Sequence, residues 1–248
     1  MSAWMLVDGP ISASAIAKRL DQHGACVVPA YLSQEHVSVL RDEALAALRD
    51  HGTSDYGYGR SCRFEPEGYD AVRAAAQFFQ SELFEQVVEA YLPREQVRHL
   101  RYIDITHDFR FDPTTIYGKL HYDRRRQLKF MLYLLDTDPG AGAFRFVPGS
   151  HVDGQRLHTH AWRAALGAGD EISDEAIAQM AWMTPDASPA YRSVEFLCPE
   201  RAREAVHASG PAGSLVVFDT HVLHAGGIVD EGRERLNVKS HSLVELSA

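Results

Sequence analysis

The tripeptide His121-Tyr122-Asp123 lies at the end of a run of residues typical of a β-strand. Residues two apart in a strand project to the same side, so the imidazole of His121 and the carboxylate of Asp123 can reach one ion. Two imidazoles and one carboxylate on one face of an octahedron form the site of non-haem iron(II) oxygenases, which keeps three positions open. A second histidine must come from elsewhere in the fold, and His224 ends a later apolar run.

Other histidines offer alternatives to this set. In a chain with 13 histidines, an H-x-D pair also arises as a surface pair that shares no ligand. His158-Thr159-His160 has the spacing of a metal pair but has no strand pattern around it, which favours two loop histidines. His221 precedes His224 closely and competes with it as the second nitrogen ligand.

The bulk composition is that of a globular protein with one core. The chain has 248 residues, 45% of them hydrophobic and 24% charged, which suits a single domain. A formal charge of −9 argues against a general nucleic-acid-binding surface. The three cysteines are scattered, so neither a disulfide framework nor a cysteine zinc site is expected. We expect a cytoplasmic protein, because neither a secretory signal nor a membrane-spanning run is visible.

The elements that position these residues fall into two parts. The first third is predicted to be helical: Ser33 begins a helix that Gly52 ends, and a second helix runs from Asp70 to about Leu92, where Pro93 closes it. The first of these helices has apolar residues at three- and four-residue spacing, namely Val37, Leu40, Ala44, Ala47 and Leu48.

Beyond Pro93, short runs rich in aromatic and β-branched residues alternate with Asp, Pro and Gly clusters, which is typical of a sandwich or barrel. In LKFMLYLL, alternation places Lys129, Met131 and Tyr133 on one face. A weakly patterned stretch from about 152 to 199, with a short helix near 173–182, is predicted to be an insertion over one mouth of the barrel. GSLVVFDTHVLH and RLNVKSHSLVEL are the last predicted strands.

Two stretches carry a resemblance to a known family. HYDRRRQLKFMLYLLDTDPGAGAFRFVPGSH and GSLVVFDTHVLHAGGIVDEGRERL resemble the phytanoyl-CoA dioxygenase family of Fe(II)/2-oxoglutarate oxygenases. After its H-x-D, that family has an aspartate, a glycine turn and a Pro-Gly-Ser-His, matched here by Asp136, Gly142 and residues 148–151. Its distal histidine ends a strand that opens with glycine, matched by Gly213 and His224. The match spans about residues 119 to 240, and GACVVPAYLSQEHVSVLRDEAL resembles the family's opening segment more weakly.

The resemblance implies a mainly β fold with flanking helices, a double-stranded β-helix or cupin-like jelly roll. It implies one domain over 1–248, with a helical third over about 1–95 and a barrel over about 96–248. It also implies that His121, Asp123 and His224 are both the metal ligands and the catalytic centre. Arg235 matches the family arginine that binds the far carboxylate of 2-oxoglutarate, a bidentate grip that suits a guanidinium.

Further residues are expected to face the co-substrate or the substrate. The resemblance suggests that Met131 faces the barrel interior; Lys129 then does so too and would assist 2-oxoglutarate or meet an acidic substrate, unless its amine extends to solvent. The arginine run from Arg124 to Arg126 forms either an electropositive rim for the substrate or a solvated loop, and Tyr133 is a further substrate candidate.

His151 is expected to be structural. Gly226 replaces a family hydroxyl, and Met131 stands where many relatives have tryptophan.

The expected activity is hydroxylation of an unactivated C–H bond with release of succinate and CO2. It would use Fe(II), 2-oxoglutarate and O2 and act on a small molecule, with anionic compounds and natural products as the expected classes. Asp123 disfavours halogenation, because related halogenases lack this carboxylate. The alternatives are a cupin-like metalloenzyme that does not use 2-oxoglutarate and a catalytically silent binding protein on the same fold. No nucleic-acid or membrane partner is expected, and the sequence leaves the oligomeric state open.

Overall fold

A computed structural model of the chain describes residues 3–6, 11–53, 59–92, 97–98, 102–109, 120–123, 126–155 and 203–244. Within them the elements are, in chain order, α1 (Ala13–His23), β1 (Ala25–Val28), α2 (Gln34–His51), β2 (Gly59–Phe64), a 3₁₀ helix (Pro66–Val72), α3 (Arg73–Phe79), α4 (Glu82–Tyr91), β3 (Val97–Arg98), β4 (Ile103–Asp108), β5 (Gln127–Tyr133), β6 (Arg145–Phe146), β7 (Val206–His207), β8 (Leu215–Asp219), β9 (His224–Ala225) and β10 (Arg235–Val244).

Helix α2 forms where the apolar spacing predicts it. The Ser33 side chain accepts a hydrogen bond from the backbone N–H of His36, and Gly52 closes the last turn. Its buried residues are the five predicted ones: Val37, Leu40, Ala44, Ala47 and Leu48. This face packs into a core shared with the strands, as the apolar periodicity predicts.

The predicted helix from Asp70 to about Leu92 is wrong as a single element. The chain forms a 3₁₀ helix, then α3 and α4, and the last two are separated at Gln80 and Ser81. Ser81 is extended, with φ −68° and ψ 149°. The break brings the buried rings of Phe79 and Phe84 to 5.5 Å between centroids. Packing of the two rings therefore outweighs the helix propensity of the intervening residues.

Two antiparallel sheets form the barrel. The larger has the order β1-β8-β5-β10-β4-β2, with β3 also pairing with β10, and the smaller has the order β7-β6-β9. Neighbouring strands are frequently distant in the chain, as expected for a double-stranded β-helix. The predicted fold class is confirmed.

Strand β5 divides the interior of the protein into two clusters. Its residues Phe130 and Leu132 pack with the helices on one side of the large sheet. Met131 and Tyr133 point to the other side and pack with Phe144 and Phe146, which lie in or beside β6. The alternation predicted for this strand is confirmed, and it directs Met131 into the barrel.

Some predicted features lie outside the described residues. They include Arg124, Arg125, His158, His160 and most of the insertion predicted over 152–199. The single-domain organisation stays a prediction. No helix in the described ranges is long and apolar enough to cross a membrane.

Candidate metal centre

His121 and His224 are held opposite each other by their own backbones. The N–H of His121 donates to the carbonyl of His224 at 2.8 Å, and the N–H of His224 donates to the carbonyl of His121 at 2.9 Å. This isolated antiparallel bridge brings the two imidazole centroids to 4.6 Å. Two residues distant in the sequence are thereby fixed as one pair.

The imidazole of His224 is oriented with one nitrogen available to a metal. Its Nδ1 donates to the carbonyl of Val222 at 2.8 Å, which leaves Nε2 with a lone pair directed at Asp123. The side chain is packed against Phe144 and Phe218. Burial, and then the neighbouring His121, lower the pKa of His224 to about 3, so this histidine is neutral at physiological pH and suited to coordination.

Asp123 completes the triad with one oxygen and uses the other elsewhere. Its Oδ1 lies 3.6 Å from Nε2 of His121 and 3.7 Å from Nε2 of His224. Its Oδ2 accepts a hydrogen bond from Nζ of Lys129 at 2.5 Å. Burial opposes ionisation of Asp123, but Lys129 and the two histidines outweigh it and hold the pKa of this carboxyl well below its usual range.

The three ligand atoms meet the geometric requirement for one metal ion. One candidate atom from each of His121, Asp123 and His224 lies within 4.8 Å of the others. His221, the competing histidine, does not belong to this group. Two imidazole nitrogens and one carboxylate oxygen are a donor set that suits a ferrous ion and would leave coordination positions free.

Asp219 positions the turn that leads to His224, a role that the sequence analysis missed. This buried carboxylate accepts hydrogen bonds from the Tyr91 hydroxyl and from Nε of Arg126, both at 2.8 Å, and from the backbone N–H of His221 at 2.9 Å. The predicted strand GSLVVFDTHVLH is therefore two strands, β8 and β9, joined by a turn that Asp219 holds. A signal was present: an aspartate directly after a fully apolar run is rarely buried without partners.

The Pro-Gly-Ser-His turn supports the same segment from the other side. Ser150 Oγ accepts from the N–H of Leu223 at 2.8 Å and donates to the carbonyl of Val147 at 2.7 Å. The N–H of Val147 in turn donates to the carbonyl of Leu223 at 2.9 Å. His151 bonds the carbonyl of Asp21 at 3.1 Å, consistent with the structural role expected for it.

The triad opens into a cavity of about 1040 Å³. Its wall includes all the residues predicted to bind the metal or the co-substrate: His121, Asp123, His224, Arg235, Lys129 and Met131. Gly226, Phe144 and Phe218 also line it, and the wall continues past β4 to β2 and to His51 at the end of α2. The cavity therefore extends well beyond the metal ligands.

Arg235 begins β10 and its guanidinium is fixed by two oxygens. Nε and Nη2 donate to one oxygen of Asp108 at 3.0 and 2.9 Å, and Nη1 donates to the carbonyl of Gly142. A guanidinium has five N–H donors, so two of them are not used by these bonds. Arg235 is oriented by its neighbours and keeps donors for a carboxylate in the cavity.

Two of the predicted substrate residues do not reach the cavity. The hydroxyl of Tyr133 is buried, donating to the carbonyl of Ala208 and accepting from the N–H of Phe144, both at 3.0 Å. Arg126 is bound to Asp219 and packs over the Tyr91 ring. Neither residue is in the cavity wall, so both are structural here.

The inward face of β10 contributes residues that the sequence analysis did not single out. Arg235, Asn237, Lys239 and His241 alternate along the strand and all line the cavity. Asn237 accepts a hydrogen bond from Thr106 at 2.9 Å. The alternation of RLNVKSHSLV could have identified this face once Arg235 was assigned to the interior.

Comparison with known proteins agrees with this site. The sequence pattern of one protein family, described as phytanoyl-CoA dioxygenase (PhyH), matches residues 20–230. None of the curated proteins compared with the chain matches it.

Solved structures share the fold at low sequence identity. The epimerase SnoN, in complex with Fe3+, alpha ketoglutarate and nogalamycin RO, is 17% identical, with a TM-score of 0.61 over 94% of this chain and 83% of that one. The carbocyclase SnoK from nogalamycin biosynthesis is 14% identical, with a TM-score of 0.62 over 96% and 87%. HygX from Streptomyces hygroscopicus, with nickel and 2-oxoglutarate bound, is 13% identical, with a TM-score of 0.56 over 93% and 86%.

Proposed function

This chain belongs to the phytanoyl-CoA dioxygenase family of iron(II)- and 2-oxoglutarate-dependent enzymes, and we propose that it hydroxylates an unactivated C–H bond of a small molecule, releasing succinate and CO2. The observation that carries the proposal is the convergence of His121, Asp123 and His224 within 4.8 Å, in the wall of a cavity that also contains Arg235. The four residues are the ligand set and the co-substrate anchor that such an enzyme requires.

The residues of the triad fit an iron(II) ion in chemistry as well as in distance. His224 binds through Nε2 because its Nδ1 donates to Val222. Asp123 binds through Oδ1 because Lys129 holds Oδ2. Lys129 would therefore keep the carboxylate to one coordinating oxygen, and all three ligand residues line the cavity.

Arg235 is proposed to bind the far carboxylate of 2-oxoglutarate. Asp108 and the carbonyl of Gly142 orient the guanidinium, and its two remaining N–H groups can grip a carboxylate. When bound, iron(II) with 2-oxoglutarate and dioxygen supplies the oxidation, in which one oxygen atom enters succinate and the other enters the substrate.

The cavity walls exclude water from the metal end and leave space for the substrate. Met131, Phe144 and Phe218 give the metal end an apolar lining. The whole cavity, with a volume of about 1040 Å³, has room for a substrate besides 2-oxoglutarate. The structures of SnoN and HygX hold nogalamycin RO and hygromycin B, respectively, and we propose a natural product as the substrate class for this chain too.

The test is turnover of the purified protein with Fe(II), 2-oxoglutarate and O2. We expect succinate to form, its rate to rise with the correct substrate, and the product to gain the mass of one oxygen atom. Asp123→Ala should abolish succinate formation, whereas Asp50→Ala, on the exposed end of α2, should not. Undiminished succinate from the Asp123 variant would overturn the site.

The same assay separates the competing functions. Substrate conversion with metal but without 2-oxoglutarate would favour a cupin-like enzyme of another kind, and tight binding with no conversion would favour a silent binding protein. The neighbours SnoN and SnoK are described as an epimerase and a carbocyclase. A product of unchanged mass, or one lacking two hydrogens, would keep the cofactor assignment and overturn hydroxylation.

A further inference from the structure

We infer that Lys239 binds a singly charged acidic group of the substrate. The natural substrate of this enzyme is then a small organic acid. The inference rests on the proposed function, because it counts the charges of iron and 2-oxoglutarate. It assigns a substrate-binding residue of the cavity wall that is neither a metal ligand nor the proposed co-substrate anchor.

Lys239 lies on the inward face of β10, in the middle of the barrel wall. It pairs with Met131 of β5 on one side and with Asp104 of β4 on the other, and it lines the cavity. The surrounding protein desolvates its ammonium group, and this burial lowers the pKa of Lys239 from its ordinary value. A cation in such a position is stabilised by an anion.

The other charged side chains of the cavity wall already have partners. Arg63 binds Asp104 through two hydrogen bonds of 2.6 and 3.0 Å. Arg235 binds Asp108, and Lys129 binds Asp123. Lys239 makes no hydrogen bond and no ion pair with any residue in the described ranges.

The charged residues that the structure describes in the cavity wall sum to one positive charge. Among the described lining residues, the cations are Arg63, Lys129, Arg235 and Lys239, and the carboxylates are Asp104, Asp108 and Asp123. The two positive charges of iron(II) and the two negative charges of 2-oxoglutarate cancel each other. A substrate with one negative charge therefore neutralises the site, whereas a doubly charged phosphate would leave an excess negative charge near Asp104 and Asp108.

Lys239 and the co-substrate anchor Arg235 stand at different positions along β10. Arg235 lies four residues earlier on the same strand, about 13 Å away along the backbone at roughly 3.3 Å per residue. In the other direction, His241 pairs with Lys129, whose amine contacts the metal ligand Asp123. Lys239 therefore lies between the co-substrate anchor and the metal end, where the nearby apolar wall of Met131 and Phe144 can pack against the hydrocarbon part of a bound acid.

The experiment measures binding of matched probes to protein loaded with Ni(II) and 2-oxoglutarate, by calorimetry without turnover. The probes are benzoate and benzamide, cyclohexanecarboxylate and its carboxamide, decanoate and decanamide, and phenyl phosphate. We expect at least one acid to bind about 10- to 100-fold more tightly than its amide, the range of a charge-assisted hydrogen bond, and more tightly than phenyl phosphate. Lys239→Met should remove this preference, and Lys18→Met, an equal loss of charge on the exposed face of α1, should keep it.

Each other outcome contradicts the inference. If no acid binds, if amides bind equally well, or if phenyl phosphate binds best, Lys239 does not select a singly charged acid. If Lys239→Met weakens the binding of 2-oxoglutarate itself, Lys239 belongs to the co-substrate site. A lower melting temperature of Lys239→Met would mean that Lys239 stabilises the fold instead of binding substrate. If that variant does not fold, the comparison of acids with amides on the unaltered protein still decides the inference. Failure of the proposed function appears separately, as failure to bind Ni(II) and 2-oxoglutarate at all.

Discussion

His121 and His224 exchange both of their backbone hydrogen bonds, at 2.8 and 2.9 Å, although they come from opposite ends of the barrel sequence. The bridge uses main-chain atoms only, so it places the two residues opposite each other whatever side chain stands at either position. Loss of one imidazole should therefore leave the backbone arrangement of the site in place.

His121→Ala should abolish metal binding while the fold persists. The variant keeps the N–H and carbonyl that bridge to His224, and only the nitrogen ligand is lost. Metal content after anaerobic loading with Fe(II) and the far-ultraviolet circular dichroism spectrum measure the two effects. His36→Ala, an exposed histidine at the start of α2, is the control and should bind metal normally. Full metal content in the His121 variant would exclude this residue as a ligand.

Arg235→Ala should raise the 2-oxoglutarate concentration needed for turnover. Loss of a charge-assisted contact costs about 1.5–3 kcal/mol, which corresponds to roughly 10- to 100-fold in affinity. The apparent KM for 2-oxoglutarate in a succinate assay measures it. Arg233→Ala is a matched control, because Arg233 lies two residues away in an exposed pair with Asp138. Equal KM values for the two variants would show that Arg235 does not hold the co-substrate.

The sequence was sufficient for those features that depend on local periodicity. The spacing of His121 and Asp123, the alternation of β5 and the buried face of α2 each follow from one element's geometry. The match to family motifs then supplied His224 and Arg235, which no local pattern could join to the H-x-D pair.

The remaining features depend on contacts between distant segments. Tyr91 reaches Asp219 from a helix 128 positions earlier, and nothing in either neighbourhood indicates the pair. The break before α4 is decided by the packing of Phe79 against Phe84. The expected substrate role of Arg126 is not supported because the buried Asp219 binds that arginine, and no local pattern in the sequence pairs these two residues.

Asp219→Asn should destabilise the protein and weaken metal binding. Removing one partner from a buried ion pair leaves the other uncompensated and costs about 3 kcal/mol, at the low end of the usual range because Arg126 keeps slight exposure. The turn before His224 also loses its anchor. Urea denaturation and metal titration measure the two effects.

Asp50→Asn is the control for this prediction. Asp50 pairs with Arg49 on the surface of α2, where a pair contributes less than about 1 kcal/mol. Similar destabilisation by both substitutions would mean that the Asp219 cluster is not the support of the turn.

His241→Gln should flatten the pH dependence of stability in the metal-free protein. Burial, opposed by the neighbouring Asp104, lowers the pKa of His241 to about 4, against about 6.5 in an unfolded chain. Between these values the unfolded state binds the proton and the folded state does not, so the free energy of unfolding rises with pH in this window. The stabilisation is complete above pH 6.5 and is lost as the pH falls toward 4, which amounts to roughly 3 kcal/mol for this group.

Urea denaturation at half-unit steps from pH 4 to 7.5 should give a shallower slope for His241→Gln than for the exposed control His36→Gln. The slope will not vanish, because the pKa of His224 is lowered too. Parallel curves for the two variants would mean that His241 titrates alike in the folded and unfolded states.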